Sequence, residues 1–99
     1  MRANKAASYL GFARRAGKLT LGVNAVETIR SCHLLVADES ISPGSRKKIE
    51  KLREKLGCPL VYCDGLGDMV GRPGCKLAAM RDENLAKATE AAIGKESEE

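Results

Sequence analysis

Tryptophan is absent from this chain, and two Tyr and one Phe bring the aromatic share to only 3%. The core must therefore be filled by Leu, Val, Ile and Ala, and base stacking on rows of aromatic side chains is not an expected mode of contact. No apolar run approaches the roughly 20 residues that span a bilayer, and the polar, basic first residues lack the apolar centre of a signal peptide. These absences predict a cytoplasmic protein with no membrane partner. Close cysteine pairs are missing too. Cys32, Cys58, Cys63 and Cys75 show none of the two-residue spacing that presents two thiolates to a tetrahedral metal. They read as reduced thiols packed as small apolar groups, with no metal and no cofactor expected.

Acidic residues are missing from the front of the chain. Residues 1 to 26 hold Arg2, Lys5, Arg14, Arg15 and Lys18 and no carboxylate, whereas the last eighteen residues set Asp82, Glu83, Glu90, Glu96, Glu98 and Glu99 against Lys87 and Lys95 alone. The net charge of +4 thus understates a basic field concentrated in one region. Such a field suits a polyanionic partner, although a solvated helix face accounts for charge alone equally well.

What is present fits one domain over residues 1–94, followed by a short acidic tail, 95–99, expected to be flexible. Ala6, Tyr9, Leu10 and Ala13 recur at helical spacing between Asn4 and Ala16, and Gly17 is a natural stop. "KLTLG" alternates as an edge strand does. Val26 and Ile29 mark a second helix ending near Cys32. "HLLVADE" carries consecutive apolar residues, the pattern of a strand covered on both faces. Ser42 before Pro43 is an N-cap followed by proline at the first helical position, with Ile49, Leu52 and Leu56 on one side and Gly57 closing the helix. "PLVYC" reads as another buried strand, Leu66 to Val70 as one short helix and "KLAAM" as a last strand. Asp82 then caps a final helix carrying Leu85, Ala88 and Ala92 and ending before Gly94. This alternation predicts an α/β fold, a three-layer α/β/α sandwich around a small mixed sheet of about four strands.

Two glycine-rich turns are the candidate sites. In "TLGVNAVETIR" a helix starts just after Gly22, so unpaired N–H groups could meet an anion, Gly22 lets backbone approach a ligand, and Asn24 offers an amide that donates and accepts. Asn24 with Glu27 three residues on also reads as a cap with its reciprocal partner, which needs no ligand. The second turn lies in "GDMVGRPGCK", where Arg72, Pro73 and Gly74 are exposed. Arg72 can contact phosphate or stack on a base there, or can simply decorate a polar turn.

From Leu10 to about Ala92, with "YLGFARRAGKLTLGVNAVETIRSCHLLVADESISPGSRKKIEKL" at its heart, the chain resembles the small bacterial members of the kink-turn-binding ribosomal protein family. That family is the L-seven-Ae, L-thirty-e and S-twelve-e superfamily. Arg14, Arg15, Gly17, Lys18, Gly22, "LLVADE", "CPLVY", Leu66, Gly67 and Gly71 carry the likeness. The resemblance implies an α/β/α sandwich that binds RNA bent sharply at tandem sheared G·A pairs. In the archaeal and eukaryotic branch a Gly-x-Asn-Glu turn followed by Lys reads those pairs, and Gly22 and Asn24 match it. Ala25 stands in place of the glutamate, Thr28 of the lysine and Leu21 of a basic residue. The family's specificity loop maps onto Arg72, Pro73, Gly74 and Cys75, with Arg72 where relatives place an apolar side chain.

The expected RNA-binding set is Arg14, Arg15, Lys18, Gly22, Val23, Asn24, Thr28, Arg72, Pro73, Gly74 and Cys75. The expected partner is a structured RNA such as a kink-turn, ribosomal RNA included, bound without catalysis by a ribosome-associated monomer that takes no DNA. An enzyme would need a base or paired acids around a nucleophile. The sole histidine, His33, stands beside Cys32 with no evident third partner, and Asp38 and Glu39 are adjacent on a strand and so point to opposite faces. The other class is a protein-interaction scaffold of the same fold with weak or lost RNA binding, favoured by Ala25 and Thr28.

Overall fold

The computed structural model describes residues 5–97, and the elements follow the apolar patterning closely. Helix α1, Lys5–Arg15, buries Ala6, Leu10 and Ala13 on one stripe. It ends because Gly17 takes a positive φ, the Gly17 N–H bonds to Arg14 O and the Lys18 N–H to Ala13 O at 2.8 Å, the paired bonds of a Schellman stop. The expected starting residue, Asn4, lies outside the described residues. Strand β1, Leu19–Leu21, leads into α2, Val23–Val26. Strand β2, Leu34–Asp38, is buried at all five positions. Helix α3, Pro43–Leu56, starts on Ser42, whose hydroxyl accepts from the Ser45 N–H, and ends on the left-handed Gly57. Then come β3, Leu60–Cys63, α4, Leu66–Val70, β4, Leu77–Met80, and α5, Glu83–Ser97. The Asp82 carboxylate accepts from the Leu85 N–H at 2.9 Å, the cap its position predicts.

The sheet has four strands in the order β1-β4-β2-β3. β2 and β3 are parallel, and β4 runs antiparallel to both β1 and β2. The register divides the side chains between two layers. Leu34 pairs with Met80 and Val36 with Ala78, and all four face the core under α1, α4 and α5. Leu35 pairs with Ala79 and Ala37 with Leu77, and these face the second core with Val26 and the α3 residues Ile49, Leu52 and Leu56. The small mixed α/β sandwich is thus built on β2 and β4, whose short alanine side chains let helices close on both faces. Truncating Leu34 or Ile49 to alanine removes a fully buried side chain, a class of change that costs about 2–5 kcal/mol.

Three elements differ from the sequence expectation. Helix α2 is a single turn instead of a helix reaching Cys32. Beyond it the Thr28 N–H bonds to Ala25 O and the Ile29 N–H to Val26 O, tight three-residue turns, while the Thr28 hydroxyl also donates to Ala25 O at 2.7 Å. A β-branched hydroxyl competing for that carbonyl favours unwinding. Strand β3 is an edge strand, only half-buried over Leu60–Tyr62, because α3 and the helices below leave its outer side open. Helix α5 continues through Gly94 to Ser97, since one glycine lowers helix stability without ending it. Residues 95–97 of the expected tail are therefore helical, and 98 and 99 lie outside the described residues. No helix among the described residues is long and apolar enough to cross a membrane.

Candidate functional site

β1, β2 and β3 all end at the same edge of the sheet, where β4 begins, because each runs opposite to β4 or alongside a strand that does. The turns leaving those strands and the turn entering β4 meet there. Gly22 and Val23 from the β1–α2 turn, and Arg72, Pro73, Gly74, Cys75 and Lys76 from the α4–β4 turn, line one groove of about 280 Å³. Residues fifty positions apart in sequence are joined in a depression with no carboxylate in its lining, where Arg72 supplies an unpaired cation while the Lys76 ammonium turns to Ser40 and Asp38 behind it.

Each wall has a local physical cause. Gly22 has φ 92° and ψ 146°, a region that residues with a Cβ avoid, and its N–H bonds to Leu77 O at 2.8 Å, fastening the turn to the start of β4. Gly67 holds the other wall. Its carbonyl accepts from the Arg72 N–H at 2.8 Å, and a Cβ at 67 would lie 2.9 Å from Arg72 O and 3.0 Å from the Gly74 N. The Arg72–Cys75 turn therefore packs directly on α4 where a side chain would be. Arg72 is exposed, and its guanidinium has no hydrogen-bond or ion-pair partner among the described residues.

Behind the groove, Asp38 ties the edge together. Its carboxylate accepts from the Leu66 N–H at 2.9 Å, from the Ser40 N–H at 3.0 Å and from the Ser40 hydroxyl. Its own N–H bonds to Lys76 O at 3.0 Å, and the Lys76 ammonium lies 3.8 Å from it while donating to Ser40 Oγ at 2.7 Å. Burial opposes ionisation of this side chain, 6% exposed, but the Ser40 and Leu66 hydrogen bonds and the Lys76 charge outweigh it and hold the pKa at about 2. One carboxylate thus fixes the ends of β2, α4 and β4. From the sequence Asp38 reads only as one of two adjacent carboxylates on a strand; all its observed partners are donors of this chain. The readable signal is an Asp two residues before Ser at the end of a buried strand, the spacing of an Asx-turn. Lys76 and Gly67 were likewise absent from the expected set.

The remaining expected residues are distributed unevenly. Cys75 lines the groove, but its thiol is buried and lies 3.3 Å from Leu77 O, so its backbone and not its sulfur is what a ligand would meet. Arg14 and Arg15 line a second depression between α1 and α4, together with Asp68 and Gly71. The Arg14 guanidinium donates to Val70 O and lies against Gly71, one residue from Arg72, so the basic region borders the groove without entering it. Lys18 is at the opposite end of β1, roughly 13 Å from Gly22 at about 3.3 Å per strand residue; its carbonyl is bonded there by the Arg81 N–H. Asn24 and Thr28 are exposed outside the groove lining.

The cap reading of Asn24 is also corrected: Gly22 is the capping residue, no side chain caps the helix, and Glu27 pairs instead with Lys48 of α3 at 3.0 Å. A one-turn helix sums too few peptide dipoles for its mouth to act as an anion site. What Gly22 contributes is close backbone approach. His33 is exposed at the other end of the sheet, its N–H bonded to Met80 O. Among the described residues no three His, Cys, Asp or Glu side chains gather as metal ligands.

No protein-family model matches the chain, and no curated protein matches it. A solved structure from Bacillus halodurans C, described as a protein with unknown function, is similar with a TM-score of 0.79 at 22% sequence identity, covering 93% of this chain and 99% of that one. At that identity the likeness is one of fold, and it spans nearly the whole of both chains.

Proposed function

We propose that this protein is a non-catalytic, cytoplasmic RNA-binding module that recognises bent, structured RNA of the kink-turn type and works in association with the ribosome. The observation that carries this reading is the groove shared by the Gly22 and Arg72–Lys76 turns, free of carboxylates in its lining and carrying the unpaired guanidinium of Arg72. Its position also agrees with the two segments that the resemblance to kink-turn binders selects. Gly22 leaves room for a sugar-phosphate backbone to touch the protein chain, and the flat guanidinium of Arg72 reaches a phosphate or lies against an unstacked base. Arg14 and Arg15, bordering the groove, add a screened attraction. Specificity then comes from RNA shape and splayed bases, since side chains cannot read the deep groove of an A-form duplex.

The test is binding of a kink-turn RNA against a plain duplex of equal length over a salt series. Binding that favours the kink-turn and falls with salt is expected, with Arg72→Ala weakening it about tenfold and lowering the salt slope by about 1. Equal affinity for both RNAs, or none for either, rejects the proposal. A protein-interaction scaffold is the second reading, favoured by Asn24 and Thr28 lying outside the groove and Lys18 lying at the far edge. It requires that both RNAs bind weakly or not at all.

A further inference from the structure

At the edge of the sheet opposite the groove, two cysteines meet. Cys32 stands two residues before β2 and Cys58 two residues before β3, and because those strands are parallel and adjacent, the chain segments that feed them run side by side. The Leu35 N–H bonds to Pro59 O at 2.9 Å and fastens the segments together. The two Sγ atoms are 3.0 Å apart, within the second core, and both side chains are free thiols, 9% and 6% exposed. Neither Cys63 nor Cys75 joins them: Cys63 and Cys75 belong to the core on the other face of the sheet. Two sulfurs this close need roughly 1 Å of further approach to reach the disulfide bond length of about 2.05 Å, and the surrounding backbone is already paired.

We propose that Cys32 and Cys58 form a reversible redox site, oxidised to an intramolecular disulfide by hydrogen peroxide and returned to the dithiol by small thiols. Peroxide is the fitting oxidant because it is close to water in size and so enters a site this buried most readily. In the first step one sulfur attacks a peroxide oxygen, the O–O bond breaks, and a sulfenic acid and one water form. In the second the partner sulfur attacks the sulfenic sulfur, the S–O bond breaks, and its thiol proton leaves with the hydroxide as a second water. Two thiols and one peroxide become one disulfide and two waters, with two electrons passing from sulfur to oxygen. Burial, with the hydrogen bond and nearness of Cys58, pushes the Cys32 thiol up to about 12, so oxidation is slow and answers sustained oxidant. The bridge spans 26 positions and clasps β2 to β3 across the ends of the α3 crossover, restricting the unfolded chain.

The experiment treats the folded, full-length protein with hydrogen peroxide, blocks remaining thiols in denaturant with a maleimide, and maps peptides by mass. Two of four thiols are expected to be lost together, in one Cys32–Cys58 linked peptide two hydrogens lighter than its parts. Dithiothreitol restores both by two thiol–disulfide exchanges, its two thiols giving their protons to Cys32 and Cys58 and leaving as a cyclic disulfide, and the melting temperature of the oxidised form rises by on the order of 10 °C. Four labelled thiols after prolonged exposure, or a link joining any other pair, overturns the proposal. So does the same paired loss in Cys58→Ser, a variant that keeps the size of the side chain and lacks the second sulfur.

Discussion

The two ends of the sheet are held by different chemistry. At the groove end, β2, α4 and β4 are gathered by one ionised carboxylate, Asp38, and the turns there carry Gly22, Gly67 and Gly74 in place of bulk. At the other end, the strands are entered through Cys32 and Cys58, sulfur against sulfur, with Arg81 closing over the Gly17 carbonyl at 2.6 Å. Polar anchoring is directional and sets positions closely, which is what a surface offered to a ligand needs. Apolar sulfur packing is tolerant of small shifts and contributes cohesion. The difference assigns shape to one end and durability to the other.

Removing the carboxylate tests the division between the two ends at its strongest point. Asp38→Ala strips the Leu66 and Ser40 N–H groups of their acceptor and leaves that of Leu66 buried and unpaired, so denaturant unfolding should show a loss of about 3 kcal/mol. Hydrogen exchange should rise at Leu66 and Ser40 while the Leu35 amide, at the thiol end, stays protected. Equal loosening at both ends would dissolve the distinction.

Acid sharpens it. The folded pKa of Asp38 is lowered from 3.8 to about 2, so its stabilisation is complete above the unfolded value. It is lost as the pH falls from about 4 to about 2, where the unfolded chain takes up a proton that the folded chain refuses. The linkage amounts to about 2 kcal/mol, measurable as a falling denaturation midpoint across that window. In Asp38→Asn this dependence should disappear.

Gly22→Ala has open space around the new methyl, yet φ 92° is hostile to it. A cost of about 1–2 kcal/mol in thermal unfolding is expected from the backbone alone. Thr89 on α5 is fully buried with a hydroxyl that finds no partner among the described residues. Thr89→Val should raise stability by about 1 kcal/mol by removing that unmet group. A loss there instead would mean that the hydroxyl has a role in holding α5.

Most of the architecture was readable because it rests on local signals. Leu34 to Ala37 and Leu77 to Met80 are unbroken apolar runs of the kind a doubly covered strand carries, and Ser42-Pro43 marks a helix start by chemistry confined to two residues. The groove itself was half legible: its two turns stand out as glycine clusters, but only the sheet order brings them together. Lys18 misled because four residues along a strand carry a side chain to the opposite edge, whereas four along a helix would have kept it on the same face. Asp38 was half hidden for the converse reason: its turn with Ser40 is local, but the Leu66 N–H that it also holds is 28 positions away. The end of α2 turned on one hydroxyl, that of Thr28, competing with a backbone donor.

The tight seat of the Arg72–Cys75 turn on Gly67 separates two kinds of freedom. A single methyl added beneath that turn would strike main-chain atoms that have nowhere to go, whereas Arg72 and Pro73 above it project into open solvent. Variation can therefore retune what the rim touches, residue by residue, while the platform on which it stands admits almost none.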